Sequence, residues 1–107
     1  MAEDLGTEAV IAHLTTNPDL DWFREKYSYG LTGVHAQDLR ELVYAAARTG
    51  NNKADLAREL GLSRTTLYTR IRKLERITGG TFAGEHLQKL HFALLLNESS
   101  SLQRNTV

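Results

Sequence analysis

Cysteine is absent from these 107 residues, which excludes a disulfide framework, a thiolate nucleophile and a cysteine-based zinc site. That absence is compatible with a reducing compartment. Proline occurs once, so the residue that breaks helices is almost missing. No run approaches the roughly 18 apolar residues of a membrane span. The opening "MAEDLGTEAV" lacks the basic and apolar regions of a signal peptide, so the expected location is the cytoplasm. Sustained period-2 alternation is missing as well, and the chain therefore reads as all-α. Its length suits one compact domain with an appended element.

Net charge is the last thing lacking: thirteen Lys/Arg balance thirteen Asp/Glu. The total conceals an asymmetry. Residues 1–50 carry four cations against eight acids, whereas residues 51–78 carry seven against three. An acidic front and a basic middle suggest one surface built for a polyanion and another kept away from it. The plainer alternative is a solvated charged helix face.

What is present is a series of helices with stop signals. Residues 4–15 place Leu5, Ala9, Ile11, Ala12 and Leu14 on a broad apolar side. In "NPDLDWFREKY", Asn17 is a good N-cap, Pro18 fits the first helical position, and Asp19 and Asp21 complement the helix dipole. Leu20, Phe23 and Tyr27 then share a face. After "SYGLTG", a helix over 36–49 turns Leu39, Leu42, Val43 and Ala46 inward and ends at Gly50. Asn52 caps a helix over 53–60, with Leu56, Ala57 and Leu60 facing in. Ser63 caps another over 64–77, stopped by Gly79-Gly80. A last helix over 84–97 carries Leu87, Leu90 and Leu94. The expected domains are a helical dimerisation or covering segment at 1–33, a unit of closely connected helices with a C-terminal helix at 34–97, and a disordered tail at 98–107.

The connection "GLS" at 61–63 is the most telling stretch. Ala57 allows close helix approach, Gly61 can take a positive φ, and Leu62 plugs the corner, which is the steric recipe of a helix-turn-helix. On the second helix, Leu67, Ile71 and Leu74 form the inward stripe at roughly 100° per residue. Thr65, Thr69, Arg72 and Arg76 fall opposite, flanked by Tyr68 and Lys73. Arginine can donate two hydrogen bonds to guanine, and threonine offers a hydroxyl and a methyl to base edges. The expected base readers are therefore Arg64, Thr65, Tyr68, Thr69 and Arg72. The expected phosphate contacts are Asn51, Asn52 and Lys53 at a helix start, together with Thr66, Arg70, Lys73 and Arg76.

The stretch "TGNNKADLARELGLSRTTLYTRIRKL" resembles the helix-turn-helix of the Fis family and of the C-terminal domain of NtrC-type activators. Gly50, Asn51, Ala57, Leu60, Gly61, Arg64, Thr66 and Leu67 match their pattern, while Leu56 replaces its first alanine. A longer stretch, about 38–96, resembles the C-terminal helix-turn-helix of PucR/CdaR-type regulators. Arg64, Thr66, Leu67, Arg70, Ile71, Glu75, Thr78, Gly79, Ala93 and Leu94 fit, with Glu75 one place off register. The resemblance implies a DNA-binding transcription regulator. Only about 35 residues precede the motif, as in the short Fis architecture, whose N-terminal helices dimerise. The expectation is thus a homodimer binding paired half-sites.

Other constellations are weaker. His13, His35, His86 and His91 have no ligand-like spacing, so no metal is expected. Trp22, Phe23, Tyr27 and Tyr29 read as packing against the first or third helix rather than as a ligand pocket. Gly79-Gly80 lacks the context of a phosphate loop. No serine or threonine has a base and an orienting acid nearby, so the reading is not an enzyme, with no cofactor and no small-molecule ligand. The reading is a small, compact, all-α transcription regulator that binds double-stranded DNA with helix 64–77 in the major groove, located in the cytoplasm with the nucleoid. A nucleoid-type architectural protein, or an interaction adaptor on the same trihelical fold, remains the alternative.

Overall fold

A computed structural model describes residues 18–105, and the helix expected over 4–15 and the Asn17 cap lie outside the described residues. The described chain is helical, with no strand among its residues. Helix α1 (Pro18–Ser28) starts on the proline and carries Asp19 and Asp21 in its first turn and Lys26 in its last, each on the side the helix dipole favours. Leu31 follows in the loop, fully buried. It is held there because Arg40 Nη1 donates to the carbonyls of Leu31, at 2.8 Å, and Gly33, at 2.6 Å. A 3-10 turn (Val34–Ala36) leads into α2 (Gln37–Thr49), then α3 (Lys53–Leu60) and α4 (Arg64–Thr78).

The last helix, α5 (Gly84–Asn105), runs past Asn97, where the sequence pattern ended it. No glycine or proline interrupts the chain after Gly84, so nothing stops the backbone ladder. The Tyr44 hydroxyl also donates to Glu98 Oε2 at 2.7 Å, anchoring the continuation to α2. Burial, and then this bond to a carboxylate, hold the Tyr44 hydroxyl well above the ordinary phenol range.

One core joins these elements. Leu39, Leu42, Val43 and Ala46 of α2, Leu56 of α3, Leu67, Ile71 and Leu74 of α4, and Leu87, Leu90 and Leu94 of α5 are all buried in it. These are the inward residues that helical spacing selects. Ala57 and Leu60 are partly buried against them. Helix α1 lies along α5, with Phe23 meeting Phe92 edge-on at 5.7 Å and Tyr27 at 4.7 Å. The aromatic partner of this pair among the described residues is thus on α5; Tyr27 also packs against the core cluster that holds residues of α2, the third helix of the sequence reading, while the first helix lies outside the described residues. Trp22 and Tyr29 stay 62% and 77% exposed.

Candidate nucleic-acid interface

The interface is assembled from caps. Asn52 Oδ1 accepts the Asp55 N–H at 3.0 Å and so starts α3. Gly61 ends α3 in the left-handed region, φ 67°. No atom lies within 4 Å of a Cβ added there, so the turn requires glycine for its backbone angle and not for space. The Leu62 N–H donates to Ala57 O at 2.9 Å, and Leu62 leans on the core. Ser63 Oγ then accepts the Thr66 N–H at 3.2 Å, starting α4 only two residues after Gly61. Short caps at both ends of the turn fix where α3 stops and α4 starts.

On α4, Leu67, Ile71 and Leu74 face the core, at most 5% exposed. Arg64, Thr65, Thr66, Thr69, Arg72, Lys73 and Arg76 are all exposed. Two hydroxyls are partly engaged: Thr66 Oγ1 accepts from Ser63 Oγ at 3.0 Å, and Thr69 Oγ1 donates to Thr65 O at 2.9 Å. Tyr68 is half-buried against the core cluster. Arg70, at the edge of the stripe, places Nε 3.9 Å from Asp38 Oδ2 on α2.

The corner before α3 differs from its expected role. Asn51 adopts φ 63° and donates from Nδ2 to Phe82 O at 3.1 Å, so its side chain turns inward. Asn52 is exposed, with its side-chain oxygen occupied by the cap. Lys53 Nζ folds back to Asn51 O at 3.3 Å. The helix start therefore presents Asn52 and Lys53 outward more than Asn51.

Charge partners divide the cations sharply. Arg24 pairs with Asp21, Arg48 with Glu59, Arg58 with Asp55 and Lys89 with Glu85. Lys26 sits 4.9 Å over the Trp22 ring, while Arg40 and Lys53 bond to carbonyls. Among the cations whose side chains the structure describes, only Arg64, Arg72, Lys73 and Arg76 have no such partner, and all four stand on α4. The single acid of that helix, Glu75, is occupied by the Phe82 N–H at 2.8 Å. Four uncompensated, exposed cations on one helix make a local positive field on a neutral molecule.

Two buried residues that help build this geometry, Leu31 and Phe82, lie in loops and were missed by the helical spacing. The only sequence signal was a large apolar residue directly after Tyr29-Gly30, or one residue beyond Gly79-Gly80. Among the described residues no cluster of His, Asp and Glu could hold a metal ion. No helix of the described residues is long and apolar enough to cross a membrane.

Residues 38–74 match a family model described as "Bacterial regulatory protein, Fis family". The match starts in the first turn of α2 and ends at Leu74, the last buried residue of α4. No match is found among the curated proteins or the solved structures. Over residues 38–74 the chain is similar to the helix-turn-helix of Fis-family regulators, a likeness that suggests DNA binding by a regulator.

Proposed function

We propose that the protein is a sequence-specific, double-stranded DNA-binding transcription regulator that places α4 in the major groove. The observation carrying this reading is the segregation just described: the only cations without partners among the described side chains stand on one well-seated helix, Arg64 at its exposed N-terminal end and Arg72, Lys73 and Arg76 on its outward face. Such a face suits a polyanion, and an interaction adaptor seldom needs so concentrated a row. Arg64, Thr65, Thr69 and Arg72 would read base edges, with Tyr68 contributing from the margin of the core. Asn52, Lys53, Thr66, Lys73 and Arg76 would hold phosphates. Arg70 and Asn51 would act there only by giving up the internal partners described above.

The chain would work as a homodimer on paired half-sites, through residues 1–33. The exposure of Trp22 on α1 and of Tyr29 just after it, beside Lys26, supports such a contact. The helix following the motif keeps the likeness to PucR/CdaR-type regulators as our reading. The working compartment would be the cytoplasm, with the nucleoid.

Selection of bound fragments from a random duplex library tests the reading. The expected result is one enriched motif, repeated at a spacing of about one helical turn of DNA. Enrichment of bent or A/T-rich DNA without a motif would favour the architectural alternative. No enrichment at all would favour the adaptor.

A further inference from the structure

Resting on the DNA-binding reading, we infer that Asn51 and Glu75 are positioning residues that clasp the backbone of Phe82 and so set the angle of α4 relative to α3. Phe82 follows α4 in the loop 79–83 and is 2% exposed within the core cluster. Both of its backbone groups are taken by side chains. Its N–H donates to Glu75 Oε2 at 2.8 Å, from the closing part of α4. Its carbonyl accepts from Asn51 Nδ2 at 3.1 Å, from the corner that opens α3.

The two helices are thus joined twice. At one end the capped turn 61–63 links the last residue of α3 to the first of α4. At the other, Phe82 bridges the start of α3 to the end of α4. Helix α4 has 15 residues, about 22 Å at 1.5 Å per residue. A small rotation about the turn would therefore displace Arg72, Lys73 and Arg76 by several ångströms in the absence of the crossbar.

The details fit a clasp better than an external role. Asn51 sits at φ 63°, a conformation that asparagine tolerates better than most residues. Its N–H donates to Ala46 O at 2.9 Å, closing α2, and its Oδ1 is buried without a hydrogen-bond partner among the described residues. That side chain is committed inward. The loop is seated from its other side as well: Thr78 Oγ1 and His86 Nε2 lie 2.9 Å apart, and a Cβ on Gly80 would come within 2.5 Å of the His86 ring.

Glu75 makes the inference testable by sign. It is the only acid on a helix proposed to meet phosphates, so charge alone predicts that removing it tightens DNA binding. A clasp predicts the reverse. The experiment is fluorescence anisotropy with the full chain and a mixed-sequence duplex, below the melting midpoint of every variant. Glu75→Ala should weaken binding roughly five- to tenfold, as expected for loss of one ordering hydrogen bond. Glu75→Gln keeps an acceptor oxygen and loses the charge, and should bind at least as tightly as wild type. Asn51→Gly keeps the positive φ and loses the amide. It should weaken binding like Glu75→Ala, and the double variant should be little worse than either single one.

Equal or tighter binding by Glu75→Ala overturns the clasp. Fully additive losses overturn it too, and return Asn51 to a direct phosphate contact. A wild-type chain that binds no duplex overturns the DNA reading and this role with it. Amide hydrogen exchange at Phe82 supplies an arm that needs no DNA: it should accelerate in Asn51→Gly and Glu75→Ala. Unchanged protection in both contradicts the clasp even where DNA binding stands.

Discussion

Helices α1 and α4 are both surface helices with an apolar side toward the molecule, yet they are built differently. On α1 the inward residues Leu20, Phe23 and Tyr27 are only half-buried. Its cations are occupied, Arg24 by Asp21 and Asn97, and Lys26 by aromatic rings. On α4 the stripe of Leu67, Ile71 and Leu74 is almost completely buried, and four cations stand without partners. Self-repulsion among them costs some stability, which the tight seating offsets. A helix that merely covers a core has no need of that combination. A helix that must present charge at a fixed angle does.

Substitutions can break this comparison, beginning with packing. Leu67→Ala should destabilise the fold by about 2–5 kcal/mol, from lost transfer energy and the cavity left behind. Phe23→Ala, at a half-buried site on α1, should cost distinctly less. Denaturant titrations of the two variants decide; equal losses would mean that α1 and α4 are seated alike.

The charge half of the contrast is read on DNA. Arg64→Ala should lower affinity for the selected site by about 1–3 kcal/mol and relax its preference over random duplex. Arg58→Ala, whose side chain already pairs with Asp55 at 2.9 Å on α3, should change little. Competition titrations would show it, and comparable losses at the two positions would erase the distinction between paired and unpaired cations. Lys73→Ala should weaken all sequences alike and reduce the salt slope by about one. A loss confined to the selected site would instead make Lys73 a base reader.

How much of this could be read in advance is uneven. The α2–α4 unit was legible because each of its features is local: Asn52 and Ser63 cap, Gly61 turns, and the spacing of Leu67, Ile71 and Leu74 sets the inward face. The outward placement of Arg72, Lys73 and Arg76 followed from the same periodicity, and that of Arg64 from its place at the exposed N-terminal end of the helix. The inward turn of Asn51 was not legible, because its partner Phe82 lies 31 residues away in a loop. Leu31 escaped for a similar reason: it is buried by Arg40 reaching back over the loop and not by any periodic pattern. The length of α5 was underestimated because its polar continuation carries no apolar stripe, although it carries no helix breaker either. Periodicity identifies faces, while long-range side-chain to backbone bonds stay silent in it.

The smallest effect joins the two helices. His86 lies between Tyr27 of α1, ring centroids 6.2 Å apart, and Thr78 of α4. Burial, and then the nearby Lys89 charge, hold its pKa below the ordinary 6.5, with Glu75 opposing. A base whose folded pKa is depressed stays neutral in the fold and takes its proton more readily when unfolded. Its contribution is therefore fully present above the ordinary histidine value, and is lost as pH falls through that value toward the folded one. Melting temperature should decline modestly over that window, and less so in His86→Gln. Identical pH profiles would show that His86 does not couple α1 to α4 through its charge.

The most direct test of the account is the salt dependence of duplex binding by the wild-type chain, beside a variant with Arg64, Arg72, Lys73 and Arg76 all changed to glutamine. The three cations assigned to phosphates, Lys53, Lys73 and Arg76, predict that log K falls against log salt with a slope of about −3 per protomer, and that the variant, which keeps only Lys53 of them, has a slope of about −1. A wild-type slope near zero, or one that the four substitutions leave unchanged, would contradict the claim that this face of α4 meets DNA.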